Sequence, residues 1–188
     1  MASIVVGALR RPRLATGTIE APNPSAIGDT LVGPAQYTVD GTSSDQWTFF
    51  DFSRNSVVTA PGPLDWDLAV RRFHIIANGG PGFRGQGAIA DLGRIALDSV
   101  RVLPDTAWQA NTPDSTNPAI RRWYDYGYSS HLLTPNGHSW AVRTADGKFA
   151  VVTVASYYCD QVQAGCMTLR YVYQGDGSRS MMKAAGAR

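Results

Sequence analysis

The sequence has few cysteines and no long apolar run, and each shortage excludes a class of protein. Cys159 and Cys166 are the only cysteines among the 188 residues, so no second pair exists to complete a four-cysteine zinc site. The apolar run at residues 2–9 is interrupted by a serine and a glycine. It is also far shorter than the roughly 20 residues that span a bilayer. We therefore predict no zinc tetrahedron and no transmembrane segment.

Sequence motifs of common enzymes are also missing. No nucleophile elbow, P-loop or HExxH motif occurs, and the glycines at residues 80–87 do not open onto a helical pattern. The three histidines and two cysteines form no Ser-His-Asp or Cys-His signature. Asp65 and Asp67 flank one tryptophan on the same predicted strand face. Such a pair can do acid–base work, but two surface acids are the commoner interpretation. We predict that the protein is not an enzyme.

Helical periodicity is absent, whereas signals for strands and turns are frequent. The 19 glycines and 11 prolines separate short β-rich runs, a pattern typical of sandwiches and barrels. We therefore predict an all-β fold, either an antiparallel meander or sandwich or a partly closed barrel. The predicted strands are residues 47–52, a partner at 57–59, one long strand at 65–77, a strand at 95–102, the hairpin of 139–144 and 148–156 around an Asp-Gly turn, and 167–173.

Charge is unevenly distributed along the chain. The formal net charge is only +2, yet residues 1–15 and 179–188 hold six basic residues and no acid. Residues 16–178 therefore carry 11 basic and 15 acidic residues, a net charge of about −4. An acidic body opposes phosphate binding, so we predict no nucleic-acid partner. Basic tails suit contact with an anionic membrane surface or with an acidic partner protein. Solvated ends without a partner are the alternative.

The two cysteines lie at the ends of a polar loop, Asp160–Gly165, between two predicted strands. A disulfide between Cys159 and Cys166 would close this hairpin and would indicate an oxidising compartment. Two reduced thiols are the alternative. No signal peptide is recognised, because the three N-terminal arginines follow the apolar run instead of preceding it.

The three histidines support different interpretations. His74 lies inside a predicted strand and is expected to be structural. His131 and His138 follow the aromatic segment 123–128 and lie on either side of a Pro-Asn-Gly turn. Two such histidines can hold a haem iron from its two sides, or another metal. Ordinary surface roles are the alternative.

Several segments, in order, resemble the HmuY-like haem-binding proteins of bacterial surfaces. The segments are WTFFDFS at 47–53, WDLA at 66–69 followed by RRF and NGG up to residue 80, GQGA at 85–88, VRTADGK at 142–148 and LRYVY at 169–173. The resemblance predicts a domain at residues 45–175 between a basic, Pro-Gly-rich N-terminal extension (1–44) and a basic C-terminal tail (176–188).

The resemblance implies an all-β fold, export to the periplasm or cell surface, and haem capture by two axial side chains. His131 falls near the position of one such ligand, and His138 is the only nearby candidate for the other. The cysteine that carries the family's lipid anchor has no counterpart near the start of this sequence.

Two functions, neither of them catalytic, are compatible with these features. The first is an extracytoplasmic haem-binding protein with His131 and His138 as candidate ligands. The second is a haem-free accessory subunit of a membrane-associated redox or photosynthetic complex. Its docking would use the basic tails and exposed aromatic anchors. The candidate contacts are Arg10, Arg11, Arg13, Trp108, Trp123, Tyr124, Tyr126, Lys183 and Arg188.

Overall fold

A computed structural model describes residues 14–25 and 28–182 of the chain. This part forms strands and two 3-10 turns, Leu97–Ser99 and Asp160–Val162. The strands are β1 (Thr16–Gly17), β2 (Leu31–Asp40), β3 (Thr48–Asp51), β4 (Ser56–Val58), β5 (Leu68–Arg71), β6 (His74–Ala77), β7 (Ala88–Asp91), β8 (Tyr124–Tyr126), β9 (Leu133–Pro135), β10 (Ser139–Arg143), β11 (Phe149–Cys159) and β12 (Ala164–Gln174).

The strands form two packed sheets and a separate hairpin. The large sheet has the order β2-β12-β11-β10-β7, and β1 adds to β11 as a parallel strand. The small sheet has the order β4-β3-β5-β6, and β8 pairs only with β9. All pairings other than β1–β11 are antiparallel. The fold is thus an antiparallel β-sandwich and not a closed barrel, which confirms the predicted all-β class.

The main core lies between the two sheets because the strands alternate apolar side chains toward it. Phe50 and Phe52 on the small sheet are fully buried and meet Tyr171 on β12, with ring centroids 5.6 and 5.0 Å away. Alternate residues of β12, from Met167 to Tyr173, are also buried. One face of each of the two predicted strands, 47–52 and 167–173, therefore lies in the core.

A smaller cluster covers the other face of each sheet. Ala141 and Val151 of the large sheet pack with Leu97, Leu103 and Met181. On the outer face of the small sheet, another buried cluster consists of Trp66, Ala69 and Ile76, with Trp47, Phe49 and Phe83 packed against it.

The C-terminal meander is confirmed. β10 and β11 pair from Ser139↔Thr153 to Arg143↔Phe149 around the turn at residues 144–148. β12 pairs with β11 as the next strand. The disulfide Cys159–Cys166 is formed and joins the ends of β11 and β12.

Two predicted strands are wrong. Residues 65–77 form two strands, not one, because the chain reverses at Arg72, whose φ is +51°. Contacts distant in sequence hold this reversal: the Arg72 N–H donates to Gly41 O at 2.7 Å, and its guanidinium donates to Ala164 O at 3.2 Å. Residues 95–102 contain the 3-10 turn Leu97–Ser99 instead of a strand, and Val102 makes only an isolated bridge to Ser180.

Structured residues also occur on both sides of the segment 45–175. β2 pairs along β12 from Cys166↔Asp40 to Gln174↔Leu31, although the sequence analysis predicts no strand there. After residue 175, Met181 is 8% exposed and its N–H donates to Arg101 O at 2.8 Å.

Candidate functional site

The β8–β9 hairpin carries three of the sequence-predicted site residues, Tyr124, Tyr126 and His131. Tyr124 pairs with Pro135 at one end of this hairpin, and Tyr126 pairs with Leu133 at the other. The hairpin is attached to the large sheet, since the Leu133 N–H donates to the Tyr158 hydroxyl at 2.9 Å.

Exposed rings collect where this hairpin meets the turn between β5 and β6. We call the six residues listed at the end of this paragraph the aromatic surface. The Phe73 ring lies 5.9 Å from Tyr124 and 4.3 Å from His74, and Tyr126 lies 5.3 Å from Tyr128. Tyr124 and Tyr126 are two residues apart on one strand and so point to the same side. The aromatic surface comprises Phe73, His74, Tyr124, Tyr126, Tyr128 and His131.

His131 lies in the turn between β8 and β9, where its φ of +56° is left-handed. Its N–H donates to Gly127 O at 2.7 Å, which fixes this turn. The His131 Nδ1 atom lies 2.5 Å from the Tyr126 hydroxyl. Among the described residues, no hydrogen bond engages its Nε2 atom. One imidazole nitrogen is therefore held by a neighbour, while the other is free at an exposed position.

His138 lies beyond the opposite end of the hairpin. Its Nδ1 atom is 2.9 and 3.1 Å from the two carboxylate oxygens of Asp91. The ring is half-buried beside Trp140, with centroids 5.9 Å apart. The structure therefore does not bring His131 and His138 together, and each has its own partner.

His74, expected to be structural, is the first residue of β6 and is exposed, because the chain turns directly before it. Partial burial, followed by the neighbouring Arg71 charge, lowers its pKa. A neutral imidazole is thus favoured at the edge of the aromatic surface.

The predicted partner contacts divide into three groups. The prediction that Trp123 is an exposed anchor is wrong. Trp123 is fully buried, and its indole N–H donates to Phe73 O at 2.8 Å. Tyr126 is 43% exposed, whereas Trp108 and Tyr124 are half-buried. The other predicted contacts lie outside the described residues, and these are Arg10, Arg11, Arg13, Lys183 and Arg188.

Asp65 and Asp67 do not form the predicted pair of surface acids. Asp67 precedes β5 and is 5% exposed, and its two carboxylate oxygens accept the N–H groups of Phe52 (3.0 Å) and Ala145 (2.9 Å). Burial, followed by the charge of Asp51, raises the pKa of Asp67 to about 7. Only Asp65 keeps a partly exposed side chain. The backbone N–H groups that enclose Asp67 come from distant turns, so alternation within one segment could not reveal its burial.

The described residues offer no group of three or more His, Cys, Asp or Glu arranged to hold a metal ion directly. In the same ranges, no helix is long and apolar enough to cross a bilayer.

Residues 43–171 match the family model described as HmuY protein. The chain belongs to the HmuY family. The resemblance drawn from the sequence is thereby confirmed. A search of curated proteins gives no match.

Solved structures share the fold of this HmuY-family chain. An HmuY analogue of Tannerella forsythia, solved in its apo form, is 16% identical, with a TM-score of 0.57, and the match covers 74% of this chain and 95% of that one. A Bacteroides vulgatus protein named as HmuY-like and haem-binding is 20% identical, with a TM-score of 0.60 and coverage of 79% and 98%. A Bacteroides fragilis protein named as a lipoprotein is 19% identical, with a TM-score of 0.61 and coverage of 80% and 93%.

Proposed function

We propose that this HmuY-family protein is a non-catalytic, extracytoplasmic binding protein whose ligand is haem. Haem would bind at the aromatic surface, with His131 as an axial ligand. The observation that carries this proposal is the contact between the Tyr126 hydroxyl and His131 Nδ1 at the exposed end of the β8–β9 hairpin.

The state of His131 suits an iron ligand. If Nδ1 carries the proton and donates it to the Tyr126 hydroxyl, Nε2 keeps its lone pair and faces outward. Histidine ligands in proteins usually have their second ring nitrogen fixed in this way, because the hydrogen bond sets both tautomer and orientation. His131 thus has the arrangement of a ligand prepared for a metal.

The surroundings of His131 suit a porphyrin. Tyr128 is 86% exposed, Tyr126 is 43% exposed and Phe73 is 37% exposed. Large exposed rings that cluster together favour a ligand-binding or partner-binding surface. Bound haem would supply the iron and a flat apolar face, and these rings would contact that face. Haem binding is part of the name of the Bacteroides vulgatus neighbour, which supports the choice of ligand.

A second residue that would hold the iron has two candidates. His138 is held by Asp91 beyond the other end of the hairpin, so it would have to leave that carboxylate to share an iron with His131. His74 lies in the aromatic surface itself and has a lowered pKa. The experiment below therefore includes both histidines.

An extracytoplasmic location is supported by the disulfide between Cys159 and Cys166. Disulfides persist in oxidising compartments and are rare in the cytosol. The alternative function, a haem-free accessory subunit, has no comparable support in the described residues, because its proposed basic contacts lie outside them.

A haemin titration of the purified protein, followed by Soret absorbance, tests the proposal. We expect saturation at one haem per chain. The variant His131→Ala should bind haemin at least tenfold more weakly, because it loses one iron–ligand bond. A tenfold change in affinity corresponds to about 1.4 kcal/mol. His138→Ala is the matched control and should bind like the wild type, while His74→Ala tests the second position.

The absence of a Soret shift at micromolar haemin would overturn the proposal. Equal binding by the wild type and His131→Ala would overturn the assigned ligand. If no Soret shift occurs, the accessory-subunit alternative can be tested by asking which proteins co-purify with a chain that keeps both terminal segments.

A further inference from the structure

A small acidic cavity lies at the opposite end of β5 from the aromatic surface. Three turns of the chain meet there: the β3–β4 turn, the loop before β5, and the turn between β10 and β11. The cavity has a volume of about 140 Å³. We call it the acidic pocket, and its principal lining residues are Asp51, Arg54, Asp65, Asp67, Asp146 and Tyr173.

Negative charge in the acidic pocket exceeds the positive charge near it. Among the described residues that line it, four are aspartates and Arg54 alone is basic. The Arg54 guanidinium lies 3.8 Å from Asp51 and 3.7 Å from Asp65. The Lys148 ammonium is 3.6 Å from Asp146 but closer, at 2.8 Å, to Asp29 outside the pocket. The pocket therefore has an electrostatic preference for a further cation.

The Tyr173 hydroxyl gives a second and independent indication of a ligand. Tyr173 is only 1% exposed, and its hydroxyl is buried with no hydrogen-bond partner. It is the one such side-chain atom among the described residues. A buried hydroxyl without a partner loses about 1–3 kcal/mol, so such a group in a native structure usually has a bound water, ion or ligand.

Tyr173 lines the same pocket as the carboxylates of Asp51, Asp67 and Asp146. Burial is the main cause that raises its pKa, Lys148 lowers it, and the carboxylates of Asp146, Asp67 and Asp51 raise it further. The hydroxyl therefore stays protonated and can bond to a water or a ligand held between these groups.

The size of the cavity and the positions of the carboxylates limit the type of cation. No three carboxylates in the described part of the chain converge as direct metal ligands, which argues against a closed oxygen cage. A cavity of this volume accommodates about four or five waters at roughly 30 Å³ each. Magnesium commonly keeps several waters and is bound through only one or two carboxylates, and calcium also accepts water among its oxygen ligands.

We propose that the acidic pocket binds one hydrated divalent cation, Mg²⁺ or Ca²⁺, through Asp51 and its neighbouring carboxylates, with Tyr173 bonded to a water of the ion. This site is independent of haem. Because Asp67 connects β3 to the β10–β11 turn, the ion would lie at the junction of the two sheets and would stabilise it.

Isothermal titration with MgCl₂, and separately with CaCl₂, tests the proposal at ionic strength held constant with NaCl. We expect saturable binding at one ion per chain. Asp51→Asn should weaken binding at least tenfold, and Tyr173→Phe should weaken it severalfold. The matched controls are Asp125→Asn and Tyr128→Phe, which change exposed residues at the other end and should bind like the wild type.

Binding of only one of the two salts identifies the ion. The proposal is overturned if neither salt binds saturably at concentrations well above roughly 1 mM, the weak limit of extracellular calcium modules. It is also overturned if Asp51→Asn and Tyr173→Phe bind as the wild type does. The wild-type titration alone decides whether an ion binds, even if a variant folds poorly. If no ion binds, a bound water would account for the unpartnered Tyr173 hydroxyl.

Discussion

The two ends of β5 use polar and aromatic side chains in opposite ways. After its last residue, Phe73 and His74 join a surface of exposed rings, and His131 has one free nitrogen. Before its first residue, the carboxylate of Asp67 is buried and both of its oxygens accept backbone N–H groups. The buried carboxylate therefore contributes to the stability of the fold, whereas the exposed imidazole nitrogen remains available to a ligand.

The largest expected effect is the loss of stability when Asp67 is removed. Asp67→Ala leaves the N–H groups of Phe52 and Ala145 without an acceptor, and we expect the free energy of unfolding to fall by about 3 kcal/mol. Urea unfolding at pH 7 measures this loss. Tyr128→Ala at the aromatic surface is the control and should change stability by no more than about 0.5 kcal/mol. Equal losses of unfolding free energy in Asp67→Ala and Tyr128→Ala would contradict the difference between the two ends of β5.

The disulfide supplies the next largest contribution, and it lies at the end of β11 near the aromatic surface. Replacing Cys159 and Cys166 by serine should lower the free energy of unfolding by about 2 kcal/mol, because a short loop in the unfolded chain is no longer closed. Urea unfolding with and without a reductant measures the difference. The reductant should destabilise the wild type and leave the double variant unchanged. A wild type that is insensitive to complete reduction would contradict this expectation.

A pH dependence of stability should come from the acidic end. The pKa of Asp67 is about 7 in the folded chain and near 3.9 when unfolded, so the folded state binds more protons in between. This contribution is fully present below the unfolded pKa and is lost as the pH rises through about 7. The free energy of unfolding should therefore decrease as the pH rises from about 4 to about 7.

Urea unfolding at several pH values, with EDTA present to remove divalent ions, measures this slope. Asp67→Asn should flatten the slope, whereas His131→Ala at the other end should leave it unchanged. A stability that instead rises between pH 4 and pH 7 in the wild type, and does so equally in Asp67→Asn, would show that Asp67 is not responsible.

The smallest expected effect concerns Tyr126. Tyr126→Phe removes the hydroxyl that holds His131 Nδ1, and losing the hydrogen-bond partner of a metal ligand typically lowers metal affinity by about tenfold or more. We expect haemin affinity to fall by about tenfold, which is no more than the loss in His131→Ala. Stability should not change. Tyr128→Phe is the matched control, and a Tyr126→Phe variant with wild-type affinity would show that the hydroxyl does not prepare the histidine.

The parts of the fold that could be predicted are those determined by local sequence. The Asp-Gly turn and the alternation in β12 define the meander from neighbouring residues alone. The turn at Arg72 could not be recognised, because no glycine or proline marks it and its hydrogen bonds come from Gly41 and Ala164. β2 was missed for a similar reason, since its Gly33-Pro34 pair favours a loop when read without its partner strand.

The candidate sites show the same limit. His131 and Tyr126 are five residues apart, so the sequence could propose both as site residues, although not their contact. Trp123 was expected to be exposed because nothing nearby shows that its indole reaches Phe73 O. The acidic pocket could not be predicted at all. Its residues come from three turns and the end of β12, spread over more than 100 positions of the sequence.

Haem binding at the aromatic surface is tested most directly by nitrogen-15 NMR spectra of the wild-type protein with and without haemin. The paramagnetic iron broadens amide signals close to it. We expect broadening of residues 124–133 and of the turn around Phe73, while the amides of Phe52, Asp67 and Ala145 remain sharp. Two results would contradict haem binding at the aromatic surface. One is broadening centred elsewhere, either on His138 and Asp91 or at the acidic pocket. The other is no broadening at all.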